Sequence, residues 1–207
     1  MAITGGWRLG TALALAIAPT LAQAGTGPST ETILFIRHAE KSPDGYGQLS
    51  CKGLNRALAL AGVLQKRFGK LDVVFAPDPS FQKPDGALSY DYVRPLATVE
   101  PTAIRFGLPV HAAIGYAQRD KLLAALTLPA YATATVLVAW EHHQLQALVP
   151  ELLAANGGDP KLVPTWGRDD FNTIWRVTID RDGAGSSQAR FEIEHQGLDH
   201  EPDTCPD

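Results

Sequence analysis

Apolar positions along this chain form two patterns, short unbroken runs and longer stretches at helical spacing, and the two alternate. Unbroken runs over about Thr32 to Arg37 and Ala134 to Trp140 predict strands buried on both faces, as in the middle of a parallel sheet. Between them, Ser50 reads as the N-cap of a helix whose Leu54, Leu58, Ala61, Leu64 and Phe68 recur at helical spacing until Gly69 stops it. A second strand is expected over Leu71 to Phe75. Helices follow over about Leu96 to Phe106 and Gln118 to Leu126, with a short strand around Val110 to Ala113 between them. A further helix covers roughly Leu145 to Ala155, with Pro150 kinking it or marking its true first turn, and Asn156-Gly157-Gly158 ends it. Ile174 to Ile179 and Ala189 to Ile193 alternate around the polar turn Asp180 to Gln188 and predict a terminal antiparallel hairpin. Pro77 to Asp91, with three prolines and no usable period, reads as a loop at the C-terminal end of the second strand.

This alternation predicts an α/β fold: a three-layer α/β/α sandwich with a mostly parallel central sheet and a C-terminal antiparallel hairpin. With 207 residues and 45% apolar content, a single domain over 25–207 is expected, without internal repeats. A formal charge of −4 provides no electrostatic footprint for nucleic acid or an anionic membrane surface. Residues 1–24 read as a cleaved signal peptide: Arg8 precedes the apolar Leu9 to Ile17, and Ala22-Gln23-Ala24 supplies small residues at the cleavage positions. A membrane anchor is the alternative, but the apolar stretch falls short of the roughly 20 residues that cross a bilayer. The expected location is therefore outside the cytoplasm, periplasmic or secreted, with no stable membrane insertion. Cys51 and Cys205 fit that compartment as a disulfide tying the tail to the domain, while the position of Cys51 at a helix start leaves a reactive thiol open.

Both buried strands end in reactive side chains. The first delivers Arg37-His38 and the second Glu141-His142-His143, and the C-terminal ends of parallel strands are where open α/β sheets bind ligands. If the strands are neighbours, His38 and His142 face each other across one pocket. Arg94, after the Pro-rich segment, offers a forked cation suited to a phosphate-like anion.

These residues carry a resemblance that spans most of the mature chain. Ile33 to Glu40 is similar to the strand followed by Arg-His-Gly of the histidine phosphatase superfamily, the phosphoglycerate mutase-like group. Gly47 to Ala57 is similar to its Leu-Thr-x-x-Gly-x-x-Gln-Ala helix start. Arg94 with Thr98 resembles its Arg-Ala-x-Gln-Thr signature, and Val136 to His142 resembles its second-histidine strand. Two departures stand out. Ala39 replaces the usual glycine, so its methyl could crowd the phosphate or alter the loop, and the stretch from Pro77 to Asp91 is longer than the family's usual link.

The resemblance implies an exported phosphatase that hydrolyses phosphomonoesters through a phosphohistidine on His38. Arg37, Arg94 and His142 would bind the phosphate oxygens, with His142 favoured over His143 because it comes first after the strand. The expected partner is a small phosphorylated substrate. No cofactor is expected, and no metal-ligand cluster is evident, so the reaction is expected to be metal-independent. Glu141 is the first choice for the general acid, with Glu40 and Glu100 as alternatives. Two other functions share these residues: a phosphohistidine-specific phosphatase or mutase, and a non-catalytic phosphate-binding or sensing module. Lys41 and Arg56 could extend the cationic surface. Trp166 and Asp169-Asp170 could rim the pocket or serve packing and turns. His111, His195 and His200 read as surface or structural residues.

Overall fold

The computed structural model describes residues 27–207, so the signal-peptide expectation over 1–24 lies outside the described residues. In chain order the elements are β1 (Ser29–Arg37), β2 (Lys41–Ser42), β3 (Gly45–Leu49), α1 (Cys51–Phe68), β4 (Val73–Pro77), β5 (Gln82–Asp85) and β6 (Leu88–Asp91). Then come α2 (Arg94–Phe106), β7 (Val110–Ile114), α3 (Arg119–Leu126), β8 (Thr135–Trp140), α4 (His142–Ala155), β9 (Thr173–Arg181) and β10 (Ser187–His195). Six strands form the central sheet in the order β10-β9-β1-β8-β4-β7. β1 pairs in parallel with β8, and β4 in parallel with both β8 and β7, while β9 and β10 add the antiparallel edge. The mostly parallel sheet with a C-terminal antiparallel hairpin is the architecture expected from the alternating pattern.

Side chains of successive strand residues point to opposite faces, which explains why the buried runs are continuous. Ile33 and Phe35 of β1 pack with Val136 and Val138 of β8 beneath Leu122 and Leu126 of α3 and Leu145, Leu148 and Leu152 of α4. Leu34 and Ile36 join Leu137 and Ala139 on the other face, beneath Leu60 and Leu64 of α1 and Val99 and Ala103 of α2. The two cores give the three layers.

Several boundaries and faces differ from expectation. In α1 the apolar spacing points to Leu54 and Leu58, yet both are exposed, at 36% and 50%, and the buried face is Gly53, Ala57, Leu60, Ala61 and Leu64. The reason is a close approach: a Cβ on Gly53 would lie 2.2 Å from the carbonyl oxygen of Glu40, so the helix seats its glycine face on the chain just past β1. Ser50 caps α1 as expected, accepting from the Gly53 N–H at 3.1 Å. α4 starts at His142 rather than Leu145, because the Glu141 carboxylate caps it by accepting from the Gln144 N–H at 3.0 Å; Pro150 therefore lies inside the helix. α2 starts at Arg94, with Pro95 in its first turn, where proline costs no hydrogen bond.

The Pro77 to Asp91 segment is not a plain loop. After Pro77 ends β4, β5 and β6 pair antiparallel around Gly86, whose φ of 73° suits the turn. This hairpin packs on the small β2–β3 hairpin, where a Cβ on Gly47 would lie 2.2 Å from the Asp91 carbonyl oxygen. Cys51 and Cys205 are disulfide-bonded, which removes the reactive-thiol alternative in this state. Near that bond the Asn55 amide donates to the carbonyls of Pro202 and Thr204 at 2.9 and 2.8 Å. No helix among the described residues is long and apolar enough to cross a membrane.

Candidate active site

β1 and β8 are adjacent and in register, Arg37 opposite Trp140, so the residues that follow them emerge side by side. A cavity of about 840 Å³ opens there and is lined by Arg37, His38, Arg94, Glu141 and His142. All five sequence-predicted site residues are thus brought together. A smaller cavity of about 530 Å³ lies at the other end of the sheet, beside Ser29 and Arg181, away from this chemistry.

His38 is buried, and its Nδ1 lies 2.7 Å from the Ala39 carbonyl oxygen. A carbonyl only accepts, so Nδ1 carries the proton and the lone pair is on Nε2, which makes no hydrogen bond to the described residues. Burial, reinforced by the Arg94 and Arg37 charges, holds the imidazole well below its ordinary pKa. His38 is therefore a neutral imidazole with a free lone pair at neutral pH. Ala39 has no positive φ and does not line the cavity; its N–H donates to Thr98 Oγ1 at 2.9 Å, and that hydroxyl donates to the Arg94 carbonyl at 2.8 Å. The feared crowding by its methyl is absent, and Thr98 ties the chain after His38 to the helix that carries Arg94.

The two arginines are aimed by different partners. Arg37 donates to the Arg168 carbonyl and stacks on Phe171, its guanidinium carbon 4.2 Å from the ring centroid. Arg94 forms a buried ion pair with Asp85, which also receives Lys41 Nζ at 3.1 Å. Burial would raise Asp85, but those cations outweigh it and hold the carboxyl below its usual range. The Nε groups of both arginines are buried without a hydrogen-bond partner. Unmet cationic donors at a cavity are what the oxygens of an anion satisfy.

His142 is buried at the first position of α4, and His143 stacks on it, ring centroids 4.0 Å apart, on the exposed side. His142 Nδ1 lies 3.0 Å from Glu141 Oε1, off the alignment of a good hydrogen bond, since the same atom counts as unpartnered. Lys83 Nζ approaches Glu141 Oε1 at 3.2 Å. Burial pushes Glu141 up, but the His142 contact and the Lys83 charge win and bring it down to about 2. Glu141 is therefore an ionised cap and counter-charge, with no proton to give near neutral pH, contrary to its expected role as general acid. Of the alternatives, Glu40 is bound by Arg56 through both oxygens, at 2.8 and 2.7 Å, and Glu100 is exposed on α2 outside the cavity lining.

Other sequence candidates divide between structure and site. Arg56 is fully buried against Glu40, Asp199 and Gln196 and does not line the cavity, whereas half-exposed Lys41 does. Asp170 organises its own turn by accepting from Asn172 and Thr173, while Asp169 lines the cavity. Trp166 does both, packing on Trp175 and lining the cavity. His111, His195 and His200 are exposed. One grouping has metal-compatible spacing, which the sequence reading did not anticipate: ligand atoms of Glu141, His142 and His143 lie within 4.8 Å of one another. Its carboxylate is already engaged by Lys83 and the Gln144 N–H.

Lys83 and Asp85 were not singled out from the sequence. Both come from β5 in the unrecognised hairpin, and a lone lysine beside Pro84 reads as solvated surface unless the hairpin is known to fold over the strand ends.

No family model matches the sequence, and no curated protein matches it by sequence. The similarity is in the fold. A SixA protein of Nakamurella multipartitia, assigned as a phosphohistidine phosphatase, is 19% identical, with 80% of this chain and 96% of that one covered at a TM-score of 0.55. The protein histidine phosphatase SixA complexed with tungstate also gives 19% identity and a TM-score of 0.55, over 80% of this chain and 97% of that one. Phosphoglycerate mutase of Plasmodium falciparum gives 15% and 0.51 over 84% and 95%. The strand order, the paired strand ends and these neighbours together show that the chain has the fold of the histidine phosphatase superfamily.

Proposed function

We propose that this protein is a phosphatase that hydrolyses small phosphomonoesters through a phosphohistidine on Nε2 of His38. One observation carries the reading: a neutral imidazole whose Nδ1 is engaged, leaving Nε2 free, shares a cavity with two arginines that have unmet donors. In the first step the Nε2 lone pair attacks phosphorus, a P–N bond forms, and the bond to the leaving oxygen breaks. Arg37, Arg94 and His142 hold the three remaining oxygens, where charge is concentrated in the transition state. In the second step water attacks phosphorus, the P–N bond breaks, and its electron pair returns to Nε2.

Arg37, Lys41, Lys83, Arg94 and Arg168 line the cavity against three carboxylates, so the protein supplies positive charge for both steps and the reading needs no metal. The exposed rim at Arg168 and Asp169 admits water, which favours hydrolysis over a mutase reaction. Export, with removal of 1–24, belongs to the same proposal; the Cys51–Cys205 bond supports it, because disulfides persist in oxidising compartments.

The test is hydrolysis of 4-nitrophenyl phosphate in excess chelator by the mature chain and by His38→Ala. Chelator-resistant turnover that His38→Ala abolishes, with acid-labile phosphate trapped on the wild type alone, is the expected result. Equal turnover in both sinks the nucleophile. Reversible phosphate binding without turnover or trapping would identify a binding module, and turnover confined to phosphohistidine would identify the narrower phosphatase.

A further inference from the structure

We infer that Lys83 is the proton donor to the leaving group, a role delivered to the site by the β5–β6 hairpin. The inference rests on the phosphohistidine reading above and deepens it. An alkoxide leaves only as fast as it is protonated, so a phosphatase acting on alkyl esters needs an acid that holds a proton at working pH. Of the three cavity carboxylates, Asp169 stands on the exposed rim, and the two buried ones, Glu141 and Asp85, do not serve. Glu141 is drawn down to about 2, and Asp85 is held ionised between Arg94 and Lys41. Lys83 does carry a proton.

Its surroundings are those of a donor rather than of a solvated surface charge. Only a quarter of its side chain is exposed, and Nζ lies 5.2 Å from the ring centroids of both Tyr92 and Tyr116. Tyr92 in turn sets its ring edge-on to His38, centroids 5.9 Å apart, so one aromatic ring packs against both the lysine and the nucleophile, and both line the same cavity. Burial, with the Arg94 and Arg37 charges, makes the ammonium a stronger acid than an ordinary lysine, and Glu141 opposes this without reversing it. The Glu141 carboxylate at 3.2 Å fixes the direction of Nζ and keeps a counter-charge in place.

The proton balance closes over one turnover. As His38 Nε2 displaces the ester oxygen, that oxygen takes the electron pair of the broken P–O bond and a proton from Lys83 Nζ, leaving a neutral amine and an alcohol. In the second step the amine takes a proton from the attacking water as the P–N bond breaks. Phosphate is released, and both Lys83 and His38 return to their starting forms.

General-acid assistance matters in proportion to how poor the leaving group is, and this separates a donor from a mere phosphate-binding cation. Lys83→Ala and Lys83→Arg are compared with wild type and His38→Ala on 4-nitrophenyl phosphate and on ethyl phosphate. For Lys83→Ala, kcat on ethyl phosphate is expected to fall about 10²-fold or more, while the loss on 4-nitrophenyl phosphate stays below about tenfold. Lys83→Arg restores KM but not the ethyl phosphate kcat, because guanidinium keeps its protons in proteins. Retained aryl turnover also certifies that each variant is folded. Equal losses on both substrates, or an ethyl phosphate kcat restored by arginine, would overturn the donor role and leave the phosphohistidine intact. Turnover surviving in His38→Ala would overturn the underlying reading and this inference with it.

Discussion

The site is assembled from two regions of opposite character. The ends of β1 and β8 grow out of the best-packed part of the molecule, where Leu34, Ile36, Leu137 and Ala139 are wholly buried, and they carry His38, Arg37 and His142. The β5–β6 hairpin is a two-stranded ribbon with an exposed tip, and it carries Lys83 and Asp85. A two-stranded ribbon is marginal on its own, so the hairpin depends on what it touches, the β2–β3 hairpin and the Asp85–Arg94 ion pair. The lesson is a division of labour. Groups that must hold one position at phosphorus stand on the rigid sheet, and the charges that partner and support them, Lys83 on Glu141 and Asp85 on Arg94, stand on an appendage.

The largest expected effect lies on the sheet side. His38→Ala removes the attacking atom, and a loss of about 10⁴-fold or more in kcat is expected, as for other enzymes stripped of their nucleophile. Next comes the joint between the regions. Asp85→Asn leaves the Arg94 guanidinium buried without its counter-charge, a change that costs about 3–5 kcal/mol in comparable pairs. A drop in kcat/KM of about 10²-fold is expected, together with a lower midpoint of thermal unfolding. If activity survives, the hairpin does not position Arg94 and the two regions act separately.

Stability should show the same contrast. Leu137→Ala opens a cavity in the buried sheet and is expected to lower the unfolding free energy by about 2–5 kcal/mol. Leu88→Ala, on a residue 63% exposed in the hairpin, is expected to change it by about 0.5 kcal/mol or less. Similar losses for the two by denaturant titration would erase the distinction.

The smallest effect is a pH dependence. Folded His38 takes a proton only well below its ordinary pKa, whereas the unfolded chain takes it near about 6.5. As pH falls through that value the unfolded state binds the extra proton, so stability declines until the folded pKa is reached and then levels off. Imidazole NMR signals of His38 should accordingly stay those of the neutral ring through about pH 6.5 in the wild type. Titration at or above that value would contradict the desolvated, cation-flanked site.

The same contrast explains what could be read from the sequence. β1 and β8 are legible because strands covered on both faces must be apolar throughout, and their reactive ends then stand out: Arg37-His38 and Glu141-His142. Arg94 was legible as a forked cation after the Pro-rich segment, and Thr98 only through the resemblance of the two to a family signature. The hairpin strands Gln82–Asp85 and Leu88–Asp91 bury almost nothing, so they carry no alternation, and their prolines mimic a loop. Lys83 and Asp85 acquire roles only through contacts with Glu141 and Arg94, which no local pattern encodes. The face of α1 was misread for a related reason. Leucine spacing suggested one side, but the contact of Gly53 with the Glu40 backbone chose another.

The clamp between Cys51 and Cys205 spans 154 positions, and alongside it Arg56, which grips Glu40 just past the nucleophile, also reaches Asp199. Synthesis runs from the N-terminus, so the segment that locks the chain behind His38 leaves the ribosome long after the nucleophile itself. Completion of the site thereby waits on residues made long after its nucleophile. A product cut short before Cys205 carries the nucleophile and both arginines yet lacks the covalent fastening behind them, and an oxidant supplied after synthesis becomes the final participant in maturation.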